Sequence, residues 1–269
     1  MEIIKFNKRT SFLALSIVFL MCLFACKKDN NSDAAYARPV VEAYLVPGKP
    51  IQVKVYYQKY LEDTTTYGSP IIGLALKISD GSRTVTLTES VAGTYVYTDS
   101  SFIADSHTYS LNFDYNNQVI SAQTTVPNKP TGFTASAVLQ HVPSFSLDST
   151  PTFVPVTYTW NNTSSDYFMI AFRNIDSFPA QLDARSFVSY RDTEVILNKV
   201  ATYETGRMTF SYEGNYKVLL FHINKEYSDA LTNSGRSSLN LTSPNTNVVN
   251  GLGIFTAMQA DTLNLRVYQ

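Results

Sequence analysis

Beyond position 26 this chain has no cysteine: Cys22 and Cys26 are its only two, in a sequence of 269 residues. Whatever follows them must hold together by burying side chains, with no disulfide to constrain it. The segment that contains them is of another kind. Lys5, Lys8 and Arg9 lead into an apolar run from Phe12 to Phe24, then Ala25, Cys26 and an abrupt change to Lys27-Lys28-Asp29-Asn30-Asn31-Ser32-Asp33. A basic start, an apolar core and a small residue at its end mark an export signal, and the run falls short of the roughly 20 residues that span a membrane. Residues 1–25 are therefore expected to form a signal peptide, and the polar residues 26–36 a flexible leash, because they cannot bury enough apolar surface to order themselves.

Leu23-Phe24-Ala25-Cys26 resembles the lipobox of bacterial lipoproteins, in which the chain is cut before the cysteine and the thiol is acylated. The resemblance implies peptidase recognition by Leu23, Phe24 and Ala25, and lipidation of Cys26 as the first mature residue. Each buried methylene of an acyl chain contributes about 0.8 kcal/mol, so more than one chain gives stable anchoring without a spanning segment. Lys27-Lys28-Asp29 resembles the short export signal that directs Bacteroidetes lipoproteins to the outer face of the outer membrane; an ordinary polar linker is the other reading.

Without residues 1–25 the chain carries 18 basic and 21 acidic residues, a net charge of −3 with no basic cluster, which argues against nucleic acid as a partner. The aromatic residues are 18 Tyr and 16 Phe against one Trp, with Thr and Val frequent, a composition that suits pleated, half-buried strands. An all-β fold follows, and the length left after the leader suggests two domains.

The first domain, residues 37–127, reads as short strands at about ten-residue spacing. Val40 to Leu45 ends at Pro47-Gly48-Lys49-Pro50. Ile51, Val53, Val55 and Tyr57 alternate with Gln52, Lys54 and Tyr56, the period of a strand with one face on a core. Ile72 to Ile78 supplies another strand, and Asp80-Gly81 predicts a type I′ hairpin into Thr84 to Thr88. Gly93 to Tyr97, His107 to Phe113 and Val119 to Val126 complete an immunoglobulin-like sandwich, with Asn116-Asn117 at a turn. Pro127-Asn128-Lys129-Pro130 is a stiff break. Residues 128–269 form a second, less regular β-rich domain: Val156 to Trp160, Tyr167 to Phe172, Tyr216 to Ile223, then closing strands over Gly251 to Met258 and Leu263 to Tyr268. At most one short helix is expected, at Lys225 to Leu231 with Asn224 as its N-cap.

In order, these segments resemble a family of Bacteroidetes lipoproteins known as domain of unknown function 4249. The resemblance rests on Val40-Val41-Glu42-Ala43-Tyr44-Leu45-Val46-Pro47-Gly48-Lys49-Pro50, Ser79-Asp80-Gly81, Gly93-Thr94-Tyr95, Thr108-Tyr109-Ser110-Leu111, Thr124-Thr125-Val126-Pro127 and Asn250-Gly251-Leu252-Gly253-Ile254-Phe255. His107 and Ala43-Tyr44 depart from its pattern. The resemblance implies an outer-membrane lipoprotein of a kind often encoded beside TonB-dependent receptors, and hence an accessory to such a barrel; with Lys27-Lys28-Asp29 it is expected to face the cell surface. It supplies no activity.

No Gly-x-Ser-x-Gly elbow, calcium loop or glycine-rich phosphate loop is present, and His107, His141 and His222 stand far apart. Catalytic residues, metal ligands and cofactors are accordingly not expected. His222, within an apolar run, reads as a satisfied core residue, and Glu62-Asp63 as a solvated loop. Tyr56, Tyr60 and Tyr67 form a candidate contact surface, since phenol rings stack on sugars or anchor a partner. Asp63-Thr64-Thr65, Asp148-Ser149-Thr150 and Asp261-Thr262-Leu263 resemble the Bacteroidetes O-glycosylation acceptor, which would modify Thr64, Ser149 and Thr262. A non-enzymatic, anchored module that captures a ligand for a TonB-dependent receptor is the function expected; a stand-alone carbohydrate-binding or adhesive module is the alternative.

Overall fold

A computed structural model describes residues 38–58, 67–144, 152–182, 190–233 and 245–269. Eight strands come first: β1 (Pro39–Leu45), β2 (Ile51–Tyr57), β3 (Lys77–Ser79), β4 (Thr84–Thr86), β5 (Thr88–Val91), β6 (Thr94–Tyr97), β7 (Thr108–Tyr115) and β8 (Gln118–Thr125). After Pro127 follow β9 (Thr134–Ala135), β10 (Leu139–His141), β11 (Thr157–Thr159), β12 (Tyr167–Asn174), β13 (Asp192–Asn198), β14 (Thr202–Glu204) and β15 (Gly214–Ile223). Helix α1 (Lys225–Asn233), β16 (Val248–Val249) and β17 (Leu252–Tyr268) close the chain. The protein is all-β with one short helix among the described residues.

The alternation in β2 does what its period requires. Ile51, Val53 and Val55 are buried while Gln52, Lys54 and Tyr56 turn outward. Tyr57 breaks the pattern: it lies past the core, 41% exposed, edge-on to Tyr115. The first sandwich lays β5-β6-β2-β1-β17 over β4-β3-β7-β8-β16, around Val41, Val53, Ile78, Leu111, Ile120 and Phe255. Tyr109 donates its hydroxyl to the Phe102 carbonyl at 2.9 Å and accepts from the Ala104 N–H, a tyrosine corner of the kind immunoglobulin-like sandwiches carry.

Two local expectations need correction. The run Ile72 to Ile78 is strand only at its end, because Gly73 adopts φ +72° and the buried Tyr95 hydroxyl takes over, donating to Ile71 O and accepting from Leu74 N–H. At Asp80-Gly81-Ser82-Arg83 only Gly81 has positive φ, +89°, so the expected I′ turn, which needs two such residues, does not form, and Arg83 N–H donates to the Asp80 carboxylate. Asn116 and Asn117, at +49° and +60°, do form that pattern between β7 and β8.

The second sandwich lays β13-β12-β15-β17 over β14-β11-β9, around Tyr158, Ile170, Phe172, Phe210, Val218 and Leu265. Buried residues from Val41 to Val126 share one core and most of those from Phe133 to Val267 share another, but residues 248–257 belong with the first. Val248, Phe255 and Ala257 pack in its core. The reason is β17. Expected as two closing strands, it is one strand of 17 residues. Its first six pair parallel with β1, Val40 to Leu252 through Leu45 to Ala257, and its next ten pair antiparallel with β15. A single nine-stranded sheet thus floors both sandwiches.

The junction is tied by side chains. Gln259 Nε2 donates to Pro127 O at 2.9 Å, and His222 Nδ1 lies 2.8 Å from Asn128 O. Asn224, before α1 as expected, uses its side-chain NH₂ to reach Thr124 Oγ1 and Thr125 O, while its backbone carbonyl accepts from the N–H groups of Tyr227 and Ser228. Beneath α1 lie Met169, Ile223 and Met258, a third small core.

Candidate functional site

The outward face of β1 and β2 holds the candidate site. Period two puts Glu42 and Tyr44 of β1 on the same face as Lys54 and Tyr56 of β2, with Glu42 directly opposite Lys54. Next to β2 the chain returns through Ser69–Ile71: Tyr57 N–H donates to Ser69 O, Ile71 N–H to Val55 O, and Pro70 bridges to Tyr56. That return sets Tyr67 over Tyr56, ring centroids 5.1 Å apart at 65°, an edge-to-face pair. Lys54 Nζ donates to the Tyr67 hydroxyl at 3.2 Å and stands 4.6 Å from the ring centre.

Beside these rings opens a cavity of about 260 Å³, lined by Lys54, Tyr56, Tyr67, Pro70, Ala92 and Thr94 among others. Its floor requires glycine. A Cβ on Gly93 would lie 2.6 Å from Pro70 Cβ and 2.8 Å from Val55 O, so any side chain there would push the Pro70 segment off the sheet. Glu89 fixes the loops behind the floor, one carboxylate oxygen accepting from Gly93 N–H and the other from Gly73 N–H, both at 2.9 Å.

The aromatic face extends past the cavity. Tyr44 meets Tyr227 of α1 edge-on at 5.5 Å. Burial, then the Glu42 carboxylate and the Tyr67 phenol, push Tyr56 up to about 12. Tyr44 is pushed up by burial and then by Glu42 and Tyr227. Lys54 is raised chiefly by its hydrogen bond to Tyr67. The face therefore presents the phenols of Tyr44 and Tyr56 in their neutral form beside the Lys54 ammonium.

Of the three tyrosines expected to share a surface, Tyr56 and Tyr67 meet and Tyr60 lies outside the described residues. Sequence reasoning missed Tyr44, Tyr227 and Lys54. Tyr44 was legible, two positions from Glu42 on an alternating strand; Tyr227 was not, since only the fold brings α1 to that face. Thr262 is exposed on β17, where its N–H donates to Asp261 Oδ1 and Asp261 pairs with Lys129 at 3.0 Å. Leu23, Phe24, Ala25, Cys26, Lys27, Lys28, Asp29, Thr64, Ser149 and the Glu62-Asp63 pair lie outside the described residues.

His222 stacks on Phe168 at 4.9 Å with Asp166 at 3.7 Å, and its Nδ1 serves the linker. His141 lies against Tyr268. Among the described residues no group of three His, Cys, Asp or Glu could hold a metal ion, and no helix is long and apolar enough to cross a membrane.

Fold and site together define an all-β protein of two sandwiches on one sheet, with a tyrosine-rich concave face beside the first strand pair. The model of the family described as Domain of unknown function (DUF4249) matches residues 32–264, and the chain belongs to that family. A search of curated proteins gave no match. Among solved structures the chain is similar to the FN1–FN3 domains of chicken CNTN1, at 15% identity and a TM-score of 0.26, over 70% of this chain and 63% of that one.

Proposed function

We propose that the protein is a lipid-anchored capture module of the outer membrane, holding a ligand on its tyrosine face for a TonB-dependent receptor. The observation that carries the reading is the cavity flanked by Tyr56 and Tyr67, where two phenol rings, an ammonium and a glycine floor make a concave, partly apolar recess on an otherwise solvated sheet face. The signal segment ending at Leu23-Phe24-Ala25-Cys26 supports attachment through acyl chains on Cys26, and Lys27-Lys28-Asp29 supports delivery to the cell surface. The link to a barrel rests on the family's expected company alone; a stand-alone module that binds glycans uses the same cavity without that partner.

The test is mild-detergent affinity isolation of the full-length protein from its native membrane, beside a Cys26→Ala variant. A TonB-dependent barrel in stoichiometric amount with the wild type, and release of Cys26→Ala into the soluble fraction, are expected. Recovery of the lipoprotein alone would move the reading to the stand-alone module, and a membrane-bound Cys26→Ala would contradict the anchor.

A further inference from the structure

We propose that the cavity beside Tyr56 and Tyr67 takes one neutral sugar ring, its C–H face against the phenols and its hydroxyls on Lys54 and Thr94. The inference rests on the capture reading and names what is captured. Size is the first argument. At about 260 Å³ the space lies below the roughly 300–1,000 Å³ of pockets for drug-sized ligands, and suits a single ring. A protein partner needs about 800 Å² of its own surface buried for a stable contact, which a recess of this size does not provide.

Chemistry is the second argument. Tyr56 and Tyr67 meet at 65°, so they form a corner with one ring as a wall and the other as a base. A pyranose has an apolar C–H face that stacks on such a ring and a rim of hydroxyls that needs donors and acceptors. Lys54 spends one N–H on the Tyr67 hydroxyl, and an ammonium has three; the Thr94 hydroxyl can both donate and accept.

Charge is the third. Glu42 stands opposite Lys54 in register, and Glu89 lies behind the floor with both oxygens on backbone N–H groups. An anionic ligand would gain one ammonium and face these two carboxylates; a cationic one would face Lys54. A neutral ligand incurs neither cost.

The experiment is calorimetric titration of the full-length protein, in a detergent without a sugar head group, with methyl β-glucopyranoside, methyl β-galactopyranoside, methyl α-mannopyranoside and N-acetylglucosamine. Glucuronate and indole serve as charged and apolar planar comparators. At least one neutral sugar is expected to saturate below about 10 mM, more tightly than glucuronate or indole. Tyr67→Ala should weaken it at least tenfold. Ala92→Trp, which fills the recess from an exposed position and removes no tyrosine, should do the same and serves if Tyr67→Ala fails to fold. Saturation by none of the sugars, a preference for indole, or unchanged sugar binding in Ala92→Trp would overturn the inference. A barrel that co-isolates with the wild type while no sugar binds would sink this inference and leave the capture reading standing; sugar binding without a barrel would do the reverse to the accessory role.

Discussion

Gly253 and Val41 stand so close across the parallel pair of β17 and β1 that a Cβ on the glycine would lie 2.0 Å from the Val41 carbonyl oxygen. Gly253 also holds φ +91°, and Gly251, two residues before it, would bring a Cβ within 3.1 Å of Pro39 O. With Asn250 at φ +59° and its amide on Val119 O, these residues turn the chain into the slot beside β1. The motif Asn250-Gly251-Leu252-Gly253 therefore has a backbone explanation: it lets the last strand enter the first sandwich.

Gly253→Ala is expected to cost about 3 kcal/mol or more, because backbone must shift and the residue is strained at positive φ. Gly81→Ala, at φ +89° with nothing within 4 Å of its Cβ, provides the comparison and should cost about 1 kcal/mol. Urea denaturation midpoints of the two variants measure the difference. Equal losses would mean that the close approach carries no energy.

Because β17 belongs to both sandwiches, they should unfold together. Calorimetry on the full chain is expected to give one transition, with the van't Hoff and calorimetric enthalpies in agreement. Two separated transitions would show that the shared strand and the ties from Gln259, His222 and Asn224 do not couple the cores.

How far the sequence spoke for this architecture depended on the range of the signal. Period-two alternation is local, so Ile51-Val53-Val55 and the outward Lys54-Tyr56 were legible, as were the Asn116-Asn117 turn and the short helix. The return of the last strand was not. Nothing in Leu252 to Tyr268 says that its partner changes from β1 to β15 midway, because β1 lies more than two hundred residues back in the chain while β15 lies only a few tens of residues back. The same holds for the site. Tyr56 could be placed on the outer face from its parity, whereas Tyr227 reaches that face only through α1 and the junction.

In the second core Tyr158 is 1% exposed, and its hydroxyl has no hydrogen-bond partner among the described residues. Burial raises its pKa strongly, so the group stays neutral, but the hydroxyl remains desolvated. Tyr158→Phe is expected to leave stability unchanged or raise it by about 1 kcal/mol. A loss of that size would show that the hydroxyl is satisfied in solution.

Asp80 accepts from Arg83 N–H at 2.6 Å and from the Ser82 hydroxyl and N–H, which together hold its carboxyl down to about 2 from the ordinary 3.8. A depressed folded-state pKa contributes stability that is present above the unfolded value and lost as pH falls through the folded one. The turn should therefore weaken from about pH 4 to about pH 2, and Asp80→Asn should show a shallower acid dependence over that interval. Carboxyl NMR titration reads the site directly; a midpoint near 3.8 would contradict the geometry.

The proposal that the protein is acylated and presents its tyrosine face outward can be tested with one thiol. Under that proposal Cys22 would be removed with the leader and Cys26 would carry the lipid, so an Ala92→Cys variant should have a single free thiol at the rim of the cavity. Intact cells are treated with a membrane-impermeant maleimide. The account predicts that Ala92→Cys is labelled on intact cells and that the wild type is not labelled before or after lysis. Labelling of Ala92→Cys only after lysis would place the face away from the exterior, and labelling of the wild type would show that Cys26 is not lipidated.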